Sequence, residues 1–597
     1  MLRLLRSFAR ISQPLTAWVF GLGVLQGLLL PAFVLATGAL AGAVGDGRSA
    51  TGPLVAIGVL FTVQRVLDPI SQELGARLWR LVDESFTERV MRALAEPAGV
   101  AHVESSTVLD AAAQAEGALT GTTPGEAAMR IGYLVRTRVY GVSSLLIVAT
   151  YEWWLVSVLG IAYVIGFRFT RWHWHEVTLV MHMGTDRLRR AYYLRTLALT
   201  HTVAKETRVF GLAPWLVDRY RTSWLDVMHD IWAKRREGWI RIIGVFVLFA
   251  AVEGLALVLV ADDAVNGRLT LGTAVTIAQA VMAAAAFGEF GQNHWSVSES
   301  LIALDKLEEL ERAAAEASAA ISGPRSAEGL PARSIRFEGV HFTYPGREEP
   351  VFAGLDLEIE AGRSLAIVGE NGTGKTTFVK LLSRLYDPAA GSITIDGIDL
   401  RELDPASWRA RLAPVFQDYV QFEVPARDNV AFGALPHHDD LASITWAGGM
   451  AGADPLIARL PDGWDTVLSR AFTGGTQLSG GEWQRLALAR ALFAVRAGAG
   501  ILVLDEPTAA MDVRGEAEVY DRFLELTRGV TTIVISHRFS TVRRADRIVV
   551  VEHGQVIEDG THDELVAAGG RYAAMYTLQA ERFADASSAV RHGGGHA

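Results

Sequence analysis

The chain has 597 residues, half of them hydrophobic, with a net charge of −10 and no cysteine. The length calls for several domains and the positive mean hydropathy for membrane spans. The acidic balance gives a nucleic-acid partner no support, and the missing cysteines exclude disulfides, thiolate metal sites and cysteine nucleophiles. Met1 to Arg10 carries Arg3, Arg6 and Arg10, but the apolar stretch behind it is too long for a signal-peptide core. Residues 11–45 hold no charge and predict a first span over Leu15–Val44. A second span starts near Pro53 and carries Arg65 and Asp68 inside it. Two readings of these charges stand side by side, a polar route through the bundle interior or a structural pair at i, i+3. Beyond Glu73 the helix becomes charged, and a polar segment runs from Pro97 to Gly125. Between Arg138 and Arg168 the only charge is Glu152, which predicts a hairpin of two spans turning near Tyr151-Glu152-Trp153. Each half is short, so Arg136, Arg138 and Arg168 are expected to snorkel. After a charged helical stretch, 168–241, the last spans fall at Ile240–Val260, with Glu253 inside, and Leu271–Phe290.

Basic residues crowd the N-terminus, the end of the second span and 168–241, whereas the opposite loops hold only Arg48 and Arg268. The positive-inside rule then puts both termini in the cytoplasm. Trp172-His173-Trp174-His175, with His182, raises a metal site. His173 and His175 are two apart and do not share a helix face; His173 and Glu176 could, without an evident third ligand. Beside Arg168 and Arg171, these rings suit a membrane boundary better.

Glu311 to Ser334 is rich in Ala, Ser, Gly and Pro and reads as a linker. A soluble α/β pattern follows. Ile335–Tyr344 and 391–398 alternate like strands, while Ile501–Leu504 and Thr532–Ile535 are continuous apolar runs suited to buried parallel strands. Between the apolar run Leu365–Val368 and a helical run from Phe378 lies Gly369-Glu370-Asn371-Gly372-Thr373-Gly374-Lys375-Thr376-Thr377. Strand, glycine loop and helix form a phosphate cradle of backbone N–H groups backed by a helix dipole. Lys375 can reach the outer phosphates and the Thr376 hydroxyl can ligate Mg²⁺. Asp505 ends a strand and can hold Mg²⁺; Glu506, next to it, can act as general base. Leu478-Ser479-Gly480-Gly481-Glu482 opens a helix from Trp483 and offers a second anion site, or an ordinary N-cap at Ser479. His537 follows a strand and can contact a γ-phosphate, and Tyr344 can stack on a base, although a lone histidine is more often structural and an unmatched aromatic more often packing.

In this order the set resembles the nucleotide-binding domain of ATP-binding cassette proteins. With the helical half in front, the chain resembles an exporter half-transporter over about residues 10–580. The resemblance implies an α-helical six-span transmembrane domain followed by an α/β P-loop ATPase domain with a helical subdomain. The segments are expected at 1–310 for the membrane domain with long cytoplasmic helix extensions, 311–333 for the linker, 334–580 for the cassette and 581–597 for a disordered tail. By resemblance, Tyr344 stacks on adenine, Gly369 to Thr377 is the Walker A motif, Gln417 is the Q-loop glutamine at Mg²⁺, and Ser479, Gly480 and Gly481 belong to the signature. Asp505 and Glu506 are Walker B and the catalytic carboxylate, Asp512 is the D-loop aspartate and His537 the switch histidine. Lys205 to Leu212 is similar to the intracellular segment that reaches the cassette. Glu482 departs from the family, which carries glutamine there, and Phe472 to Gln477 lacks a glutamate that many exporters have. The implied cofactors are ATP and Mg²⁺. The implied partner is a second copy or a related half-transporter, two chains sandwiching two ATP molecules between Walker A and the opposing signature. The implied function is ATP-driven export of a small molecule, peptide or lipid-like substrate across the cytoplasmic membrane, with lipid flipping, or a cassette-gated channel or regulator, as alternatives.

Overall fold

The computed structural model describes residues 2–117, 121–183, 185–200, 203–370, 372–506, 528–536 and 538–579. They form two compact units, one of residues 1–95 with 103–314 and one of residues 96–102 with 315–597.

The first unit is helical: α1 (Leu2–Ile11), α2 (Gln13–Gly45), α3 (Thr51–Ala95), α4 (Ser106–Ala115), α5 (Glu126–Ala149), α6 (Trp153–Met183), α7 (Thr185–Leu199), α8 (Ala204–Val209), α9 (Ala213–Val265), α10 (Leu271–Ala284) and the start of α11 (Gln292–Ala320). Among the described residues, α2, α3, α5, α6 and α9 are long and apolar enough to cross a membrane; Leu271–Phe287 is a shorter apolar helix. α2 is the hub, packing on α3, α5 and α10, while α9 packs on α6 and α7. Small residues allow this: a Cβ on Gly272 would meet the Gly38 carbonyl oxygen at 2.6 Å, so α2 and α10 touch backbone to backbone. The polar segment expected at Pro97 to Gly125 contains α4, whose Ala111, Ala112 and Ala115 are buried.

The intramembrane charges pair across helices. Asp68 accepts from Arg136 and from Gln26, both at 3.2 Å, while Arg65 lies over the Phe61 ring at 5.1 Å. The Arg65–Asp68 pair is therefore not formed. Glu253 accepts from the buried Tyr163 hydroxyl at 2.9 Å. Arg136 and Arg138 do not need to snorkel. Arg138 donates to the carbonyls of Ala286, Phe287 and Glu289, where the sixth span breaks. The sequence places that span near Leu271–Phe290; α10 stops at Ala284, a single 3₁₀ turn carries the chain to Phe287, and α11 begins at Gln292. A guanidinium from a neighbouring helix satisfies carbonyls that a continuous helix would have paired within itself. The expected linker is also partly helical, since α11 continues through Ala320; its alanine-rich sequence has high helix propensity.

The second unit carries two sheets. The strands are β1 (Ser334–Phe342), β2 (Phe352–Glu360), β3 (Ser364–Val368), β4 (Ala390–Ile395), β5 (Ile398–Asp399), β6 (Leu412–Val415), β7 (Ile501–Asp505), β8 (Thr531–Ile535), β9 (Arg547–Glu552) and β10 (Gln555–Gly560). An antiparallel sheet has the order β2-β1-β4-β5, and a second sheet the order β10-β9-β3-β8-β7-β6, parallel except for β10. β7 and β8 are buried at every position, as their unbroken apolar runs require. α12 (Lys375–Leu382) packs into the core between the sheets, with Phe378 stacked on Phe337. α13 (Ala426–Ala431), α14 (Leu441–Met450) and α15 (Gly480–Arg496) form a helical cluster against β6 and β7.

Residues 96–102 are built into this unit. The Val100 N–H donates to the Leu385 carbonyl at 3.3 Å, and Arg409 donates to the Ala98 carbonyl at 2.5 Å. Next to them the buried Arg384 donates to the carbonyls of Leu403 at 2.6 Å, Ser322 at 2.9 Å and Arg401 at 3.0 Å.

Candidate functional site

β3 and β7 lie on either side of β8 in the sheet, so β3 delivers the glycine loop and β7 delivers Asp505 and Glu506 near it. The loop needs its glycines: Gly372 and Gly374 sit at φ +87° and +96°, in the left-handed region, and a Cβ on Gly374 would strike Phe352. Gly374 caps α12, whose first residue, Lys375, is buried. The Lys375 ammonium donates to the carbonyls of Gly369 and Glu370, both at 2.8 Å, which holds it across the loop. Burial depresses its pKa, against the attraction of Glu506 and Asp505.

Asp505 is buried, and burial pushes its carboxyl up to about 6 even though the Thr376 hydroxyl stabilises the anion. Among the described residues its Oδ2 has no hydrogen-bond partner. A buried carboxylate oxygen without a partner, with a threonine hydroxyl on the same group, is a donor set suited to a hard divalent cation. Glu506 adopts φ +50°, a strained angle for a glutamate, and is pinned there by its N–H bond to the Ile535 carbonyl at 2.9 Å. Gln417 donates to its carboxylate at 2.8 Å. Tyr344 reaches the same helix, its hydroxyl 3.0 Å from that of Thr377, with the Lys380 ammonium 5.1 Å from its ring centre.

One chain thus gathers Tyr344, Lys375, Thr376, Thr377, Gln417, Asp505 and Glu506. Ser479 caps the start of α15, where Gly480 and Gly481 are the first two residues. There the Tyr419 hydroxyl donates to the Gly480 carbonyl at 3.2 Å, and the Ser479 N–H to the Glu482 carboxylate at 2.8 Å. Asn371, Asp512 and His537 lie outside the described residues, as does the expected tail. Sequence reasoning did not find the ion pairs of Arg571 with Glu370 and of Arg459 with Glu482. Both join residues far apart in sequence, so no local pattern announces them. In the first unit, the His173 ring fills the space beside Gly238, a packing role.

The ABC transporter family model matches residues 352–509. The second unit is an ABC transporter domain. The ATP-dependent lipid A-core flippase of Chromohalobacter salexigens is 43% identical over 254 residues, 42% of this chain and 42% of the flippase. The subtilin transport ATP-binding protein SpaT of Bacillus subtilis is 30% identical over 405 residues, 65% of this chain and 62% of SpaT. The chain thus spans less than half of the flippase that it matches and under two thirds of SpaT. A solved structure of a bacterial Atm1-family ABC exporter with ATP bound superimposes with a TM-score of 0.75 over 96% of this chain and 99% of that one, at 24% identity. The fold is that of an ABC exporter, with apolar helices and ABC domain in one polypeptide. The chain is therefore a multi-pass membrane protein with a nucleotide-binding domain.

Proposed function

We propose that the chain is one half of an ATP-driven exporter of the cytoplasmic membrane, with both termini and the ABC domain in the cytoplasm. The observation that carries this reading is the convergence of Lys375, Thr376, Gln417, Asp505 and Glu506 on the glycine loop, in a chain that also holds the apolar helices. Thr376, Asp505 and Gln417 would hold Mg²⁺, which supplies charge neutralisation at the phosphates. Lys375 exchanges its two carbonyl partners for phosphate oxygens. Glu506, steadied by Gln417, takes the proton of the attacking water. In this reading Ser479 and Gly481, as signature residues of the resemblance, serve the ATP of a second copy or a related half-transporter. Closing that sandwich drives the membrane helices between inward-facing and outward-facing states, provided that substrate binds the two states unequally.

The substrate route in this reading is a cavity of about 870 Å³ in the first unit, walled by Phe33, Tyr140, Phe246, Phe249, Met282 and Glu289. A smaller chamber of about 430 Å³ shares Trp174 and Phe290 with it and adds Arg168, Arg171 and His175. Such walls suit an amphiphile with an apolar body and an anionic head. The test is reconstitution in liposomes, with ATP hydrolysis and accumulation of the anionic dye 1-anilinonaphthalene-8-sulfonate measured against its gradient. Hydrolysis-dependent accumulation is expected. Passive flux that ignores hydrolysis would point to a channel, and lipid movement alone to a flippase; either overturns the reading.

A further inference from the structure

Glu482 stands where the resemblance leads one to expect a glutamine, and the structure shows what holds it. Its carboxylate accepts from the Ser479 N–H at 2.8 Å and forms an ion pair with Arg459. Arg459 comes from the turn after a short helix, Asp454–Ile457, 23 residues before Glu482, and its side chain is 64% exposed against 20% for Glu482. Partial burial works against the Glu482 charge, but the Ser479 N–H and Arg459 outweigh it and keep the carboxyl below its ordinary range.

This places a fixed negative charge in the first turn of α15, the helix start that is to receive a phosphate. A carboxylate there suits the helix dipole and closes the N-cap, but it repels the more highly charged ligand. A glutamine would close the same cap without the charge. We propose that Arg459 is a positioning residue for nucleotide: it cancels the Glu482 charge and keeps that carboxylate turned onto the Ser479 N–H. The Ser479 side chain closes the capping box with Glu482, and the Gly481 N–H is thereby left for the phosphate. Arg459 itself touches no nucleotide. The inference rests on the exporter reading, in which this helix start binds ATP.

The experiment measures ATP hydrolysis by the full chain in liposomes. Arg459→Ala exposes the Glu482 charge to the phosphates, and its KM for ATP should rise roughly five- to tenfold, with kcat within about twofold of wild type. The rise should shrink as salt is added. Arg459→Lys should restore most of the affinity. The double variant Arg459→Ala/Glu482→Gln should return KM to the wild-type value, because no charge remains to be cancelled. An exposed ion pair adds little to stability, so Arg459→Ala is expected to fold. An unchanged KM in Arg459→Ala, a rise that Glu482→Gln does not reverse, or a fall in kcat alone would overturn the inference. A wild-type protein that does not hydrolyse ATP would overturn the exporter reading and this inference together. An active wild type with an unaltered Arg459→Ala variant overturns only the second.

Discussion

Arg384 offers a sharp test of how the ABC domain is held together. Its side chain is 1% exposed and its backbone sits at φ +50°, so it combines a buried cation with left-handed strain. The guanidinium serves the carbonyls of Leu403, Ser322 and Arg401 and pairs with Asp387 at 3.2 Å. In Arg384→Ala the Leu403 carbonyl, whose bond is buried, loses its partner, at a cost of about 1–3 kcal/mol. The other two carbonyls are half-buried and recover part of their loss from water, and Asp387 loses its charge partner. Together these give about 3–5 kcal/mol of destabilisation, a large share of an ordinary domain's stability. Arg384→Gly loses the same bonds but relieves the positive φ, so it should be about 1 kcal/mol more stable than Arg384→Ala, the reverse of the usual order. Fifteen tryptophans would blur a fluorescence signal. Urea unfolding is therefore better followed by hydrogen exchange in peptides around Trp408, whose indole N–H donates to the Leu382 carbonyl at 2.7 Å. A loss under about 1 kcal/mol for Arg384→Ala, or a glycine variant weaker than the alanine one, would refute the reasoning.

Three further outcomes follow from the proposed mechanism. Glu506→Gln should keep ATP binding while hydrolysis falls by about two to four orders of magnitude and closed dimers accumulate; near wild-type turnover would remove Glu506 from its role. Lys375→Ala and Ser479→Ala homodimers should both be nearly inactive, whereas crosslinked mixed dimers should trap nucleotide at one intact site, since one of their two sites inherits both defects. Trapping at neither site would exclude sites shared between chains. Glu253→Gln should alter substrate-stimulated but not basal ATPase activity if the Tyr163–Glu253 contact reports on the substrate route, and unchanged stimulation with intact transport would leave it a packing contact.

The glycine loop was legible because everything it needs is local: a buried strand, glycines at positive φ and a helix start, all within residues 365–382. Asp505 and Glu506 were legible for the same reason, at the end of an apolar strand. The readings that failed depend on neighbours distant in sequence. Of the two readings of Asp68, the pair with Arg65 three positions away is not formed; its partners come from α2 and α5. The break after α10 is invisible in an alanine-rich apolar run, because what stabilises it is Arg138, more than a hundred residues earlier. Composition marks a linker from residue 311 but not its conformation: alanine carries α11 through its first part, to Ala320. Arg459 gave no signal at all, since an arginine near a short helix is meaningful only once Glu482 is folded beside it.

The segment 96–102 has a consequence for how such chains can be divided and recombined. The polypeptide passes into the second unit after residue 95, leaves it after residue 102 and returns after residue 314. A fragment cut at the linker would start life with a missing piece of its own surface. Arg409 would lack the Ala98 carbonyl, the Leu385 carbonyl would lack the Val100 N–H, and Ile321 would lose the backbone of Gly99 pressed against it. Swapping ABC domains between relatives by one splice near residue 320 would therefore graft a foreign surface onto a native plug. The exchangeable module is discontinuous, a seven-residue insert together with the C-terminal half, and the two must be inherited as a matched pair.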